Sequence, residues 1–421
     1  MDSYKGVRDF YPEDQRIQNF IFSAMRRAVE SFGYEEMNAS ILEPTELYRA
    51  KSSEEIVNEQ TYTFMDRGER SVTLRPEMTP TVARMVAARK RELGYPLRWY
   101  SIQNFFRYER PQRGRVREFW QLNVDLFGVS NIDADVEVIA VAERVMRELG
   151  ASSGDYKIHL NHRGIHVATY SEVAKKNGLL FPEDKMRAYI RLLDRRAKLT
   201  TEDFENASLE ILGEPLAKAI LQTSDLIEIS KKTSEYKDFE ATVTLLDQMG
   251  IQTEHDMSMV RGFDYYTGMI FEVFDTNPEN KRSMFGGGRY DNLVGQYGNE
   301  SVPAIGFAMG DVIARDFLET HKLMSHIHPS TKLYIAPVTE KDADHATRAA
   351  AKLRALGLNV AVGMKHTKVG DHIRAAVKLG IPYFIAYGEN EASSGSVTLK
   401  TLATEEERMV PLEDVPRACA E

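Results

Sequence analysis

Residues 97–128 limit the possible folds of this chain more than any other stretch. LRWYSIQNFFRYE and REFWQLNVDLFG are rich in aromatic and β-branched side chains, and they flank the arginine-dense segment PQRGRVR. Such a pattern predicts two antiparallel strands joined by a basic loop. Around it, residues 15–32 carry Ile17, Phe20, Ile21, Ala24, Ala28 and Phe32 at helical spacing, with Gly33 as the stop. SVTLRPEM reads as a strand turning at Pro76, with a helix from about Pro80, and DADVEVIAVAERVMRELG as a second amphipathic helix. The first 150 residues therefore predict helices packed on a largely antiparallel sheet.

Further along, the character changes twice. From 164 to 247 charged, helix-forming sequence dominates, which predicts a helical insertion. Strand signals return in MIFEVFD, followed by FGGGRYDNLVG, read as a turn-rich stretch, and by VPAIGFAMG leading into a helix. HKLMSHIHPSTK then reads as a linker with solvated histidines His321, His326 and His328. Beyond it, KLYIAPV, NVAVGM and PYFIAYGE alternate with helices, predicting a small parallel or mixed α/β module. The expected domains are 1–163 with 248–322, the insertion at 164–247, and 331–421.

Composition narrows the function. With 43% hydrophobic and 28% charged residues the chain can build a sizeable core. A net charge of −9 argues against a surface that attracts nucleic acid everywhere, and leaves local basic patches as the place for such contacts. No apolar run is long enough to span a bilayer, and the N-terminal MDSYKGVRDFYPED lacks the pattern of a secretion signal, so a cytoplasmic enzyme is expected. The single Cys419 has no disulfide partner, and no metal-ligand spacing is present.

Four segments carry chemistry. Arg107, Arg110, Arg113, Arg115 and Arg117 fall within eleven residues, and guanidinium groups bind oxyanions bidentately. Arg107 sits on the strand side of the turn, where it can be aimed into a pocket, and Arg113, Arg115 and Arg117 sit on the loop, where they suit RNA or a terminal phosphate. RGFDYYTG places Arg261, Asp264, Tyr265 and Tyr266 in one turn. FGGGRYDNLV and AIGFAMGD supply glycines that let backbone approach a ligand closely. LRPEMTPTVARM adds Arg75, Glu77 and Thr79, a carboxylate and a hydroxyl able to hold an ammonium group.

In this order, KGVRDFYP, TLRPEMT, FRYERPQRGRVREFWQLNVD, RGFDYYTG and GGGRYDNLV resemble the landmarks of the class II aminoacyl-tRNA synthetases, and specifically of the histidyl-tRNA synthetases. The resemblance covers nearly the whole chain. It implies an α+β catalytic core with a mainly antiparallel sheet, a helical insertion and a C-terminal α/β anticodon-binding-like domain. It also implies ATP and Mg²⁺, histidine and histidine tRNA as substrates and partners, and a homodimer built through the N-terminal helix and the following strand.

The resemblance implies residue roles as well. Glu77 and Thr79 would hold the histidine α-ammonium, and Asp125 and Tyr266, with Tyr265 alongside, would address the imidazole. Arg107 would bind the ATP α-phosphate, with Gln121 near the forming adenylate and Arg261 as a fixed cation. Glu109, Arg115, Gly288, Tyr290 and Gly306 would line the ATP side of the pocket, while Arg113 and Arg117 would face the tRNA. One departure stands out. The family usually carries an arginine three residues after the last glycine of the GFAMG-type segment, and Ile313 occupies that place here. Another arginine substitutes there, or ATP is held differently. A rival reading is a non-catalytic, histidine-sensing paralogue that regulates histidine biosynthesis. The full C-terminal module and the retained RGFDYYTG segment argue against it.

Overall fold

The computed structural model describes residues 3–49, 60–196, 199–256, 259, 265–280, 282–298, 300–325, 327–365 and 367–420. They fall into two compact units, one within 1–9 and 18–323, the other within 10–17 and 324–421. The chain begins with α1 (Pro12–Glu30), β1 (Glu35–Glu36), β2 (Leu42–Pro44), α2 (Glu46–Arg49), β3 (Tyr62–Met65), β4 (Ser71–Leu74) and α3 (Thr79–Arg89). The long hairpin follows as β5 (Leu97–Phe106) and β6 (Glu118–Phe127), then α4 (Ile132–Glu148) and β7 (Tyr156–His162). A run of helices comes next: α5 (Arg163–Lys176), α6 (Glu183–Asp194), α7 (Thr201–Leu212), α8 (Glu214–Leu221), α9 (Leu226–Ser230) and α10 (Ser234–Gln248). The first unit closes with β8 (Thr253–His255), β9 (Met269–Asp275), β10 (Ser283–Arg289), β11 (Ala304–Gly310) and α11 (Asp311–Thr320).

Eight strands form one sheet in the order β1-β5-β6-β11-β10-β9-β7-β8. The six strands from β5 to β7 in that order pair antiparallel, and β1 and β8 add parallel at the two edges. Alternation along β6 divides its side chains. Phe119, Gln121, Asn123, Asp125 and Phe127 share one face, and Trp120, Leu122, Val124 and Leu126 the other. Helix α4 packs on β6 and β11, burying Val138, Val141, Ala142 and Val145. On the Asp125 face lies a cluster of Met78 and, from α3, Val82 and Val86 with Phe105, Phe127 and Tyr290.

A buried ion pair ties α4 to the sheet. Arg289, at the end of β10, donates from Nε and Nη2 to the Asp135 carboxylate at 3.0 and 2.8 Å, and both residues are buried. Its remaining donors reach the Val129 and Asn131 carbonyls at 2.9 and 3.0 Å. Arg75 plays a similar part where the small β2-β4-β3 sheet meets β5. It donates to the carbonyls of Ala39 and Asn104 and to Gln103, and is nearly inaccessible.

Two sequence expectations are corrected. FGGGR is not a turn: Ser283–Arg289 is a strand in the middle of the large sheet. The glycines are there because the neighbouring strands leave no room for a Cβ. One added at Gly287 would sit 2.1 Å from the Gly306 carbonyl oxygen. His321 is not solvated either. Its ring lies between Asp275, 2.8 Å from Nε2, and Asp155, 3.4 Å from Nδ1, and packs on Phe317. Proximity of the ends of β7, β9 and α11 creates this site, which linker-like composition conceals. His328 is exposed, and His326 lies outside the described residues.

In the second unit, β12 (Leu333–Pro337), α12 (Ala343–Ala355), β13 (Val360–Val362), α13 (Val369–Lys378) and β14 (Tyr383–Tyr387) form the predicted alternation. Added to it are α14 (Glu389–Ser394), the hairpin β15 (Ser396–Thr401) and β16 (Glu407–Pro411), and α15 (Val415–Ala418). The order is β13-β12-β14-β15-β16, parallel among the first three and antiparallel thereafter. Leu333 and Ile335 face the cluster containing α12, while Tyr334 and Ala336 face that of α13, so this sheet is covered on both sides. Cys419 packs against the first cluster, and burial pushes its thiol up to about 11. The architecture is that of an α+β core carrying a mainly antiparallel sheet and a C-terminal α/β module. No helix among the described residues is long and apolar enough to cross a membrane.

Replacing Arg289 by Met would strand a buried carboxylate at Asp135, and a loss of about 3–5 kcal/mol is expected for a broken pair of this kind. The exposed Arg26–Glu36 pair should contribute less than about 1 kcal/mol. Urea-unfolding midpoints of Arg289→Met and Arg26→Met test the contrast, and equal effects would refute it.

Candidate functional site

The floor of the site follows from strand register. Asp125 on β6 stands opposite Gly306 on β11, which stands opposite Gly288 on β10, which stands opposite Ile270 on β9. One row further, Asn123 faces Ala308, Gly286 and Glu272, and Gln121 faces Gly310. Residues directly opposite in a ladder point to the same side of the sheet. The centre of this face is therefore glycine and alanine, ringed by Gln121, Asn123, Asp125 and Glu272. The bareness is obligatory. A Cβ at Gly306 would lie 2.4 Å from Asp125 Oδ1, and one at Gly288 would come within 2.8 Å of Ile270 and 3.1 Å of the Tyr266 ring.

Three tyrosines wall this floor. Thr267 N donates to the Arg289 carbonyl at 2.7 Å, which pins the end of the RGFDYYTG segment beside β10. Tyr265 then meets Tyr266 at 5.1 Å and Tyr290 at 5.8 Å between ring centroids, both edge to face. The Tyr290 hydroxyl donates to Asp125. Burial pushes all three phenols above their usual range, and nearby carboxylates add to it: Glu77 at Tyr265, Glu77 and Asp125 at Tyr266, Asp125 at Tyr290. All three remain neutral donors across the physiological range. A hydrogen bond with Thr79 opposes the shift at Tyr265. Glu77 is itself buried.

Asp125 is strongly perturbed. Burial raises its carboxyl from 3.8 to about 7, against the opposing hydrogen bond from Tyr290. Among the described residues, Arg107, just beyond β5, brings a cation to the site. Its Nε donates to the Pro76 carbonyl at 2.9 Å and its guanidinium lies 5.3 Å from the Phe119 ring centroid, which fixes it next to the Glu77 segment.

The loop arginines divide into different roles. Arg115 pairs with Glu109 at 3.0 Å. Arg113 reaches across to Asp316 on α11 at 2.9 Å, and Ile313 packs close to Gly114. Arg117 is half-buried. Its guanidinium stacks 3.9 Å over Tyr108, with donors to Tyr4, Lys5 and Glu109, because the N-terminal segment folds back onto the loop. Arg315, near the missing arginine, pairs with Glu319.

Glu77, Thr79, Asp125, Tyr265, Tyr266 and Tyr290 thus gather around the Gly288–Gly306 floor, with Gln121 two rows along on the same face. Arg261 and Asp264 lie outside the described residues. Sequence reasoning missed Asn123 and Glu272, which join the floor through register alone; counting back by two from Asp125 would have found the first. Chemically, the site offers carboxylates and phenols toward N–H groups and cations, a flat surface for a ring, and arginines for phosphate.

A family model described as histidyl-tRNA synthetase matches residues 6–311, and one described as anticodon binding domain matches residues 332–421. The chain is 39% identical to a histidine–tRNA ligase of Leptospira biflexa, over 96% of this chain and 93% of that protein. It is 34% identical to one of Thermoplasma volcanium, over 99% and 97% of the two chains. Its fold superposes on the crystal structure of histidyl-tRNA synthetase from Nostoc sp. PCC 7120 with a TM-score of 0.82 at 20% identity, over 100% of this chain and 98% of that one.

The raised carboxyl of Asp125 has a consequence for stability. Its folded value lies above its unfolded one, so the unfolded chain releases the proton first. Stability falls as pH rises from about 4 to about 7 and stays reduced above that. A displacement of this size corresponds to about 4 kcal/mol. Asp125→Asn is expected to raise the thermal midpoint at pH 8 and to change it little at pH 4.5. The same offset at both pH values would show that the carboxyl is not held in this way.

Proposed function

The chain belongs to the histidyl-tRNA synthetase family, and from that premise we propose how its pocket activates histidine and passes it to tRNA. The activity is that of a histidine–tRNA ligase. Histidine's carboxylate attacks the α-phosphorus of ATP, pyrophosphate leaves, and a ribose hydroxyl at the tRNA 3′ end then attacks the adenylate carbonyl carbon, releasing AMP.

In the proposed arrangement the amino acid lies on the glycine floor. Glu77 and Thr79 take the α-ammonium, while Asp125 and Tyr266, with Tyr265 behind them, take the imidazole. A site whose buried polar groups go unpaired with the wrong ligand rejects it strongly, which gives selectivity for histidine. The ATP α-phosphate lies against Arg107, with Gln121 beside the forming adenylate and Arg261 as a second cation. As charge grows on the phosphate oxygens, fixed guanidinium groups stabilise it without reorganising. Glu109 and Arg115 face the nucleotide, whose base rests on the strands carrying Gly288 and Gly306. Mg²⁺ would enter with ATP and offset the charge of its phosphates. No cluster of three or more His, Cys, Asp or Glu side chains able to hold a metal is present among the described residues.

The absence of an arginine at 313 has a local answer in this reading. Arg113 is brought to the same helix by Asp316 and stands at the rim, available to the triphosphate tail or the incoming tRNA end. The anticodon-binding-like module supplies the second tRNA contact, and the enzyme works in the cytoplasm. The paralogue reading has less support, because relatives aligned over nearly the full chain are ligases. A homodimer is also proposed, in keeping with exposed Leu42, Phe64 and Met65 on the small sheet. Sedimentation equilibrium should return twice the 47.9 kDa chain mass, and a monomer at micromolar concentration would overturn it.

The observation that carries the function is the convergence of Glu77, Asp125 and Tyr266 on the bare strands beside Arg107. Pyrophosphate exchange into ATP tests it without tRNA. Exchange should depend on histidine among the amino acids and fall by about 10²–10³ in Arg107→Ala, the scale for removing a donor to developing charge. Arg113→Glu should raise the KM for tRNA in charging by more than it changes exchange. No histidine-dependent exchange from folded protein would refute the proposal.

A further inference from the structure

Tyr290 sits where two constraints meet. The residue before it, Arg289, is clamped by Asp135 and two backbone carbonyls, and its own N–H donates to the Ala304 carbonyl at 2.7 Å. The ring is buried, with Phe127 at 6.2 Å and Tyr265 at 5.8 Å, both edge-on. A tyrosine held at both backbone and ring aims its hydroxyl without adjustment, and here the target is Asp125 Oδ1. On the other side of that oxygen is Gly306, where a Cβ would overlap it at 2.4 Å. The carboxylate is thus confined between a glycine that makes room and a phenol that grips it.

We propose that Tyr290 is a positioning residue for histidine selection: its hydroxyl occupies one oxygen of Asp125 and leaves the second oxygen to accept the imidazole N–H. This rests on the reading of Asp125 as an imidazole acceptor. The physical reason is the composition of the surroundings. Among the described residues, the titratable groups near Asp125 are Tyr290, Tyr265, Tyr266 and, at longer range, Tyr34, and the charged neighbours of the same tyrosines include Glu77 and Glu272. None of these described groups is a cation. Burial drives the carboxyl toward its neutral form, and the hydrogen bond from Tyr290 opposes that. A neutral carboxyl would present its own proton to the ligand in place of a lone pair. Tyr290 stays protonated throughout, since its own ionisation is pushed well above 10.

The sign of the effect follows. Without the hydroxyl, Asp125 ionises at higher pH, so histidine affinity is lost most at low pH and regained as pH rises. Histidine's own titration is common to both enzymes and cancels in the ratio of their KM values. In histidine-dependent exchange, Tyr290→Phe should raise the KM for histidine about tenfold at pH 6.5, the order expected for losing a hydrogen bond to a charged group. By pH 8.5 the ratio should shrink to about threefold or less, while the ratio of KM values for ATP stays constant with pH. In an Asp125→Asn background the same tyrosine change should give a ratio that does not vary with pH. Should Tyr290→Phe fold poorly, 3-fluorotyrosine at position 290, similar in size and a stronger donor, should move the pH dependence to lower pH. A Tyr290→Phe ratio that is flat with pH overturns the inference. Full histidine affinity in Asp125→Asn instead overturns the underlying reading of Asp125.

Discussion

Close approach of backbone in the middle of the large sheet governs everything built on it. At Gly287 and Gly306, adjacent strands come so near that a single methyl would overlap a carbonyl oxygen. The two faces use this differently. On the helix side, Phe271 and Phe307 meet at 6.0 Å across the space left by Gly287, and the core closes there. On the other side, Gly286, Gly288, Gly306, Ala308 and Gly310 leave a flat floor at which Asp125 and Tyr266 can stand. Glycine in a strand interior costs stability relative to a side chain that packs, so this floor is a concession by the fold to the ligand.

Two buried acids brace the sheet under that floor, and each is satisfied by donors remote in sequence. Asp135 accepts two hydrogen bonds from Arg289. Asp311, at the start of α11, accepts from Arg8 at 2.8 Å, Gln18 at 2.9 Å and the Trp120 N–H at 2.9 Å. Through these contacts α4, α11 and the N-terminal segment all register against the same strands. Asp125 differs from both, because among the described residues a neutral hydroxyl, that of Tyr290, holds it. Structural acids are paired fully; the acid offered to the ligand is left partly unmet until the ligand arrives.

The basic loop shows how residue type underdetermines role. Five arginines in eleven residues mark this stretch in the sequence as a place for phosphate or RNA. The fold divides them. Arg117 is spent on Tyr108 and the N-terminal segment, Arg115 balances Glu109, and Arg113 bridges to Asp316. Arg107, on the strand side of the turn, is the one aimed beside Glu77 by the Pro76 carbonyl. In the same way Arg75, grouped with Glu77 by proximity in sequence, proves to be an interior brace between two sheets.

The sequence by itself determined the local elements. Aromatic and β-branched runs made β5 and β6, 3.6-residue spacing made α1 and α4, and βα alternation made the C-terminal module, because these depend on neighbours along the chain. It also marked the segments that carry chemistry, since arginine density, paired tyrosines and glycine runs are visible without a fold. Tertiary structure alone decided where the glycines went. FGGGR has the composition of a turn and becomes a central strand, because its partners β9 and β11 come from elsewhere in the chain. Register across those strands brought Asn123 and Glu272 to the floor and lowered the Tyr290 hydroxyl onto Asp125, 165 residues away. Which side chains meet is set by pairing between distant strands, and a shift of one residue would turn every one of them to the opposite face.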